Sequence, residues 1–207
     1  MNNFSKLLSL ATLLSLLAVS CVSIRVDDGA TRGGSLTSVN SGIAIGSGAT
    51  VTGESRSVNG SITVGDDSEV GALHTVNGSI RIGSNTTVNG DLGTINGKIR
   101  CKSGSQVDGT LSTINGAITL TETAVTGNLE TINGNITLQR RSRVQGDIVI
   151  SRKPGSDEHP KEPLLIKLSG SSVVEGDIIN KDDRFEVQVV IADDSKVLGE
   201  IKNAEVR

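Results

Sequence analysis

The feature that most constrains this chain is a period. An apolar residue followed by Asn-Gly recurs at Val58, Val76, Ile95, Ile114 and Ile132, in steps of 18, 19, 19 and 18 along the chain. Val39-Asn40 lies one such step before the first of these and reads as a degenerate copy. A second series interleaves with it at Val51, Val70, Val88, Val107, Val125 and Val144, again 18 or 19 apart, and most of its copies read V-x-G-x-I/L. Two phased series at one period are the signature of a solenoid.

Asn-Gly between apolar flanks is also the strongest short hairpin signal. Here the hairpin reading fails on length. Turn words arrive about every six or seven residues, whereas antiparallel meanders space their turns at about 8–12. A coil one repeat long, with short sides, fits instead, each side pairing in parallel with the same side of the next coil. Asn-Gly then marks a corner, where these two residue types are expected to supply a positive φ.

Alternation defines the core. Two residues apart after each corner stand Ile62 and Val64, Ile80 and Ile82, Ile99 and Cys101, Ile118 and Leu120, and Ile136 and Leu138. Period-two spacing sends both members of each pair inward. Val64, Ile82, Cys101, Leu120 and Leu138 are therefore expected to form one ladder, with Cys101 acting as a small hydrophobe. Asn59, Asn77, Asn96, Asn115 and Asn133 are expected to form a second file, each amide bonding to the next.

The pattern loosens after Ile150. The next V-x-G copy begins at Val174, a spacing of 30, and Ser151 to Pro163 is a polar insert with three prolines. The step from Val174 to Val197 is 23, so a shorter insertion falls near Lys181-Asp182-Asp183. The expected fold is all-β: a single-stranded parallel β-helix of about eight coils, roughly 40 Å long at about 4.8 Å per coil. We expect residues 1–20 to be a signal peptide, 21–38 a linker and 39–207 the solenoid. Phe185 is expected to close the bottom of the core.

The N-terminal segment carries the localisation. Lys6 precedes an apolar run from Leu7 to Val19, followed by Ser20-Cys21. A run this short is a secretory signal rather than a bilayer span. Leu17-Ala18-Val19-Ser20-Cys21 resembles the bacterial lipoprotein lipobox, which implies acylation of Cys21 and a partner in membrane lipid. Several acyl chains on one residue suffice for anchoring, since each buried methylene contributes about 0.8 kcal/mol. Val22, rather than Asp, after the cysteine implies the outer membrane in a Gram-negative host, and otherwise the cell envelope in general.

The paired words SQVDGTL, SRVQGDI, SVVEGDI and SKVLGEI resemble those of bactofilins, a polymer-forming cytoskeletal family. The resemblance runs from Val39 onward. It implies a right-handed solenoid of triangular section that assembles end to end without nucleotide. Glycine-rich adhesin-like domains of bacterial surface proteins are similar in their V-N-G-x-I repeats. Bactofilins work on the cytoplasmic side and lack a lipobox, so the signal places this chain elsewhere.

Composition narrows the partners. Without residues 1–20 the chain keeps 19 Lys+Arg (20 less Lys6) against 23 Asp+Glu, and Phe185 is the one aromatic left. Mild acidity and the lack of stacking platforms disfavour nucleic acid. Once Cys21 is acylated, Cys101 has no disulfide partner in the chain.

Candidates for chemistry are few. His74 is a potential base beside an Asn-Gly corner, and His159 lies in the insert. Asp66, Asp67 and Glu69 are the best acidic cluster for calcium, although acidic residues are common in turns. Arg140, Arg141 and Arg143 are the basic cluster, suited to anionic lipopolysaccharide or phospholipid. We expect none of these to act in catalysis or to hold a metal or cofactor. The expected protein is a non-enzymatic, lipid-anchored structural solenoid of the cell envelope, a homo-oligomer through two poorly covered ends. The alternative is an adhesin or ligand-binding surface module. If Cys21 carries acyl chains, Cys21→Ser should release the protein from membranes. Unchanged membrane fractionation, with no lipid mass on the processed N-terminus, would count against it.

Overall fold

A computed structural model describes residues 23–151, 162–182 and 186–207. The expected signal peptide, Cys21, His159 and Phe185 lie outside these residues, as does most of the polar insert. Every described strand pairs in parallel, and no helix occurs among the described residues. The strands stack as a β-solenoid of about nine turns.

Three faces make up each coil. The first face is a ten-stranded sheet running from Ile24–Val26 to Glu205–Val206. Its middle strands are three or four residues long, such as Ile99–Cys101 and Ile118–Thr121, with alternate residues buried. The second face is built from two-residue strands such as Gln106–Val107, which in the middle coils bury their valine. The third face carries strands such as Leu111–Thr113, whose leucine and threonine point inward. In two coils the second and third faces merge into one strand, Glu69–Thr75 and Thr87–Thr94. The one-residue difference between them appears as a register irregularity between Asn89 and Leu92. This irregularity lets coils of unequal length share one core.

The core is aliphatic throughout. Val64, Ile82, Cys101, Leu120 and Leu138 pair rung by rung, and Leu168 continues the ladder. All are nearly inaccessible to solvent. Fully burying one such side chain contributes about 1.5–3 kcal/mol, and every coil repeats the contribution. Hydroxyls share the interior: Thr75, Thr94 and Thr113 donate to the carbonyls of Gly60, Gly78 and Gly97 in the preceding coil. Ser68, Thr86, Ser105, Thr123, Ser142 and Ser172 form another buried hydroxyl file at the corner before the second face.

Three expectations need correction. Residues 21–38 are not simply a linker, because Ile24–Val26 pairs with Ile43–Ile45, and Leu36–Ser38 pairs with Ser55–Ser57. They form a first coil, which raises the count from eight to about nine. Secondly, the Asn-Gly corners hold no positive φ. That conformation occurs at the opposite corner, at Gly48, Asp67, Asn85, Gly104 and Glu122 among others. The corner glycines are needed for close approach instead. A Cβ on Gly78, Gly97, Gly116 or Gly134 would sit closer than 3.0 Å to the glycine carbonyl of the preceding coil. The same oxygens of Gly60, Gly78 and Gly97 accept the threonine hydroxyls. Thirdly, the N-terminal end is partly covered: Val26 and Leu36 in its first coil are buried, while Ile24 and Ala30 are half-buried.

Both insertions fall at the Asn-Gly corner. The chain leaves it after Ile148–Ile150 and re-enters the first face at Leu164–Leu168, in register with Ile136 to Leu138. The second insertion follows Ile178–Asn180, at the same corner. Steric exclusion at this corner makes a specific prediction. Gly116→Ala should destabilise the protein by about 1–3 kcal/mol, and Gly116→Asn should do no better. Good tolerance of Asn with loss in Ala, by thermal unfolding, would restore the positive-φ explanation.

Candidate functional site

The outer surface of a solenoid is a set of columns, and the Asn file is the most regular of them. Asn59, Asn77, Asn96 and Asn115 each donate from Nδ2 to the Oδ1 of the Asn one coil earlier, at 3.1, 2.9, 2.9 and 2.9 Å. The first of these bonds reaches Asn40, so the degenerate copy belongs to the file. Asn133, expected as the last member, does not donate to Asn115 from its side chain. In the coil beyond it, Ile150 stands opposite Thr131, and Ser151 follows where earlier coils carry the apolar residue before Asn-Gly. Thr131, two residues before Asn133, has a buried hydroxyl without a partner.

Beside this file runs a groove. One cavity of about 450 Å3 is lined by Ser79, Arg81, Asn96, Lys98, Arg100 and Asn115, with two glycines in its floor. A second of about 450 Å3 shares Asn115 and Gly116 and continues past Asn135 to Glu162 and Leu164. Arg81 and Arg100 face outward from adjacent strands of the first face, in register with each other. Sequence reasoning missed this pair because the two stand a full repeat apart in the chain. Reading columns at the repeat period, rather than runs of like charge, would have found them.

The candidates drawn from runs are placed differently. Arg141 pairs with Glu122 at 2.9 Å, and Arg143 pairs with Glu175. Carboxylates on adjacent coils thus neutralise two of the three expected basic residues. Asp66 accepts from the Ser84 amide, Asp67 from Asn85 Nδ2, and Glu69 from Asn89 Nδ2. The three carboxylates go to three partners, and no group of three metal-ligating side chains converges among the described residues.

His74 points outward from the third face, where it is opposite Arg56. Its Nδ1 lies 2.8 Å from Glu54 Oε1, close enough for an ion pair but out of line for a hydrogen bond. Glu54 is held by two bonds from Arg56 at 2.5 Å. Burial holds the His74 pKa below its ordinary value, against the opposing pull of Glu54. This keeps the imidazole neutral near pH 7 in an ion-pair network, with no nucleophile hydrogen-bonded to it.

Fold and surface together define a parallel β-solenoid with an aliphatic core and a polar lateral groove. No protein-family model matches the chain, and no curated protein or solved structure matches it either.

Cys101 is 2% exposed, and burial pushes its thiol from an ordinary 9.0 up to about 12. The folded state therefore keeps this proton at pH values where the unfolded chain loses it. The resulting stability is complete below about pH 9 and is lost as pH rises toward 12, by about 1.4 kcal/mol per pH unit. In Cys101→Val this slope should be absent and the fold retained. Superimposable alkaline stability curves for the two proteins, or rapid native labelling of Cys101 by a thiol reagent, would contradict its burial.

Proposed function

We propose that this chain is a non-enzymatic, lipid-anchored structural solenoid of the bacterial cell envelope that self-associates through its C-terminal end. The observation that supports this is the open end of its core. Val206 occupies the rung after Val189, yet Val189 is 0% exposed and Val206 is 55% exposed. Val197 and Ile201 follow fully buried Val174 and Ile178 but are only partly buried themselves. Lys196–Val197, Ile201–Lys202 and Glu205–Val206 are edge strands, whose free N–H and C=O groups offer a template to another chain. Leu198, 64% exposed, adds an apolar side chain at a position where the other coils carry Thr52, Gly71, Asn89, Asp108, Thr126, Gln145 and Glu175.

The asymmetry of the ends favours one arrangement. Val26 and Leu36 in the first coil are buried, whereas Val206 in the last is 55% exposed, so the more open end is best matched by a second copy of itself. An isologous contact of this kind gives a closed, tail-to-tail pair rather than an open filament. This differs from the end-to-end polymer that the bactofilin resemblance implies. The groove beside the Asn file supports a second reading, a ligand-binding surface module, and the two readings are compatible.

Double substitution Ile201→Lys/Val206→Lys should convert the full-length protein, solubilised in detergent, from dimer to monomer while keeping its β-rich circular dichroism. Ile24→Lys at the N-terminal end should leave the dimer intact. Sedimentation that shows a monomer for the unsubstituted protein at high concentration would refute the self-association reading. Larger open polymers abolished by Ile24→Lys would replace tail-to-tail pairing with head-to-tail stacking.

A further inference from the structure

We infer that the groove on the first face, between the Asn file and the paired arginines, binds a linear acidic glycan carrying carboxylate or sulfate groups. The inference gives the surface-module reading its ligand class, and it stands apart from self-association.

Charge is the first argument. Arg81, Lys98 and Arg100 line one cavity of about 450 Å3, and no carboxylate lines it with them. Arg56, Lys102, Arg141, Arg143 and Lys202 each have a carboxylate partner within 4.0 Å, and Arg32, Arg140, Lys167 and Lys196, unpaired among the described residues, do not line this cavity. Arg81, Lys98 and Arg100 have none among the described residues. Three exposed cations with converging positions and no counter-charge make a site for oxyanions. Arginine suits this task because its fork of donors matches carboxylate and sulfate geometry.

The neutral groups are the second argument. Each Asn Nδ2 has two protons, and the file uses one of them. Asn96 and Asn115 therefore keep a spare N–H at the groove wall, beside the Ser79 hydroxyl. Such groups suit sugar hydroxyls, whereas the described residues include no aromatic side chain for bases to stack on.

Spacing is the third. Arg81 and Arg100 are one rung apart, about 4.8 Å along the axis. A glycan with an acidic group on each sugar repeats its charge at a similar interval, so successive residues can meet successive coils. The groove also sets a limit: past Asn115 it is lined by Glu162, whose carboxylate opposes a long polyanion. The site fits a short run of acidic sugars.

The test uses the full-length protein in detergent, with polygalacturonate and heparin as probes, and inorganic phosphate and phosphatidylglycerol vesicles as the other sources of oxyanion. Both glycans should bind, more weakly as salt rises. Arg81→Gln/Arg100→Gln should weaken that binding about tenfold without shifting the melting temperature, because both side chains are exposed. Arg141→Gln/Arg143→Gln, at the neutralised cluster, should leave binding unchanged. Equal binding by the Arg81/Arg100 variant and the parent would overturn the inference, as would absence of glycan binding at low salt. Stronger binding to vesicles or phosphate, lost in the same variant, would overturn the glycan assignment in favour of a phosphate group. Repeating the titration in the Ile201→Lys/Val206→Lys protein separates this outcome from any failure of self-association.

Discussion

Coil stands on coil at the spacing of paired parallel strands, and at the Asn-Gly corner the backbones come so close that no Cβ fits between them. Much of the rest of the molecule depends on that contact. It admits glycine alone at the corner, it lets the threonine hydroxyls reach glycine carbonyls one coil back, and it brings the asparagine amides within 2.9–3.1 Å of one another. Once the corners stack, each residue takes its own equivalent as its neighbour. A ladder of Ile, Leu, Val and Cys follows because each side chain needs to match only the rung above and below.

The same contact explains how a chain with two phenylalanines and no tryptophan or tyrosine builds a core. Large rings would have to fit several rungs at once, whereas branched aliphatic residues fill one rung each. The interior also carries polar atoms at low cost, since most serine and threonine hydroxyls find backbone carbonyls or each other, within a coil or in its neighbour. Thr131 marks the limit of this device. Gly116 stands one coil back from it, as Gly97 does from Thr113, yet the buried Thr131 hydroxyl is left without a partner.

Function on such a scaffold resides in columns and ends. Converging side chains of different types, as catalysis needs, do not arise readily from a repeat that places like over like. Parallel rows do arise, and here one row of amides and one pair of arginines face the same groove. The ends behave differently. Every internal coil is satisfied on both sides, so unpaired strand edges collect in the first and last coils, and the most exposed apolar core position, Val206, lies in the last.

The sequence alone determined the solenoid, its period, its inward residues and most of the Asn file, because each is written as a spacing that recurs. The first coil was harder to see: Ile24-Arg25-Val26 and Leu36-Thr37-Ser38 match their equivalents, but the coil has Arg32 where a valine recurs elsewhere, and no Asn-Gly precedes it. The role of the corner glycines was legible as a requirement and not as a cause, since positive φ and close approach select the same residue. Only the tertiary structure decided between them, by placing one coil's carbonyl where the next coil's Cβ would be. It also decided which charges stand alone. Arg140, Arg141 and Arg143 are adjacent in the chain, yet two of them meet carboxylates from other coils; Arg81 and Arg100 are distant in the chain, yet adjacent on the surface. Linear proximity does not report either fact, because stacking brings residues together at the repeat distance rather than at the distance along the chain.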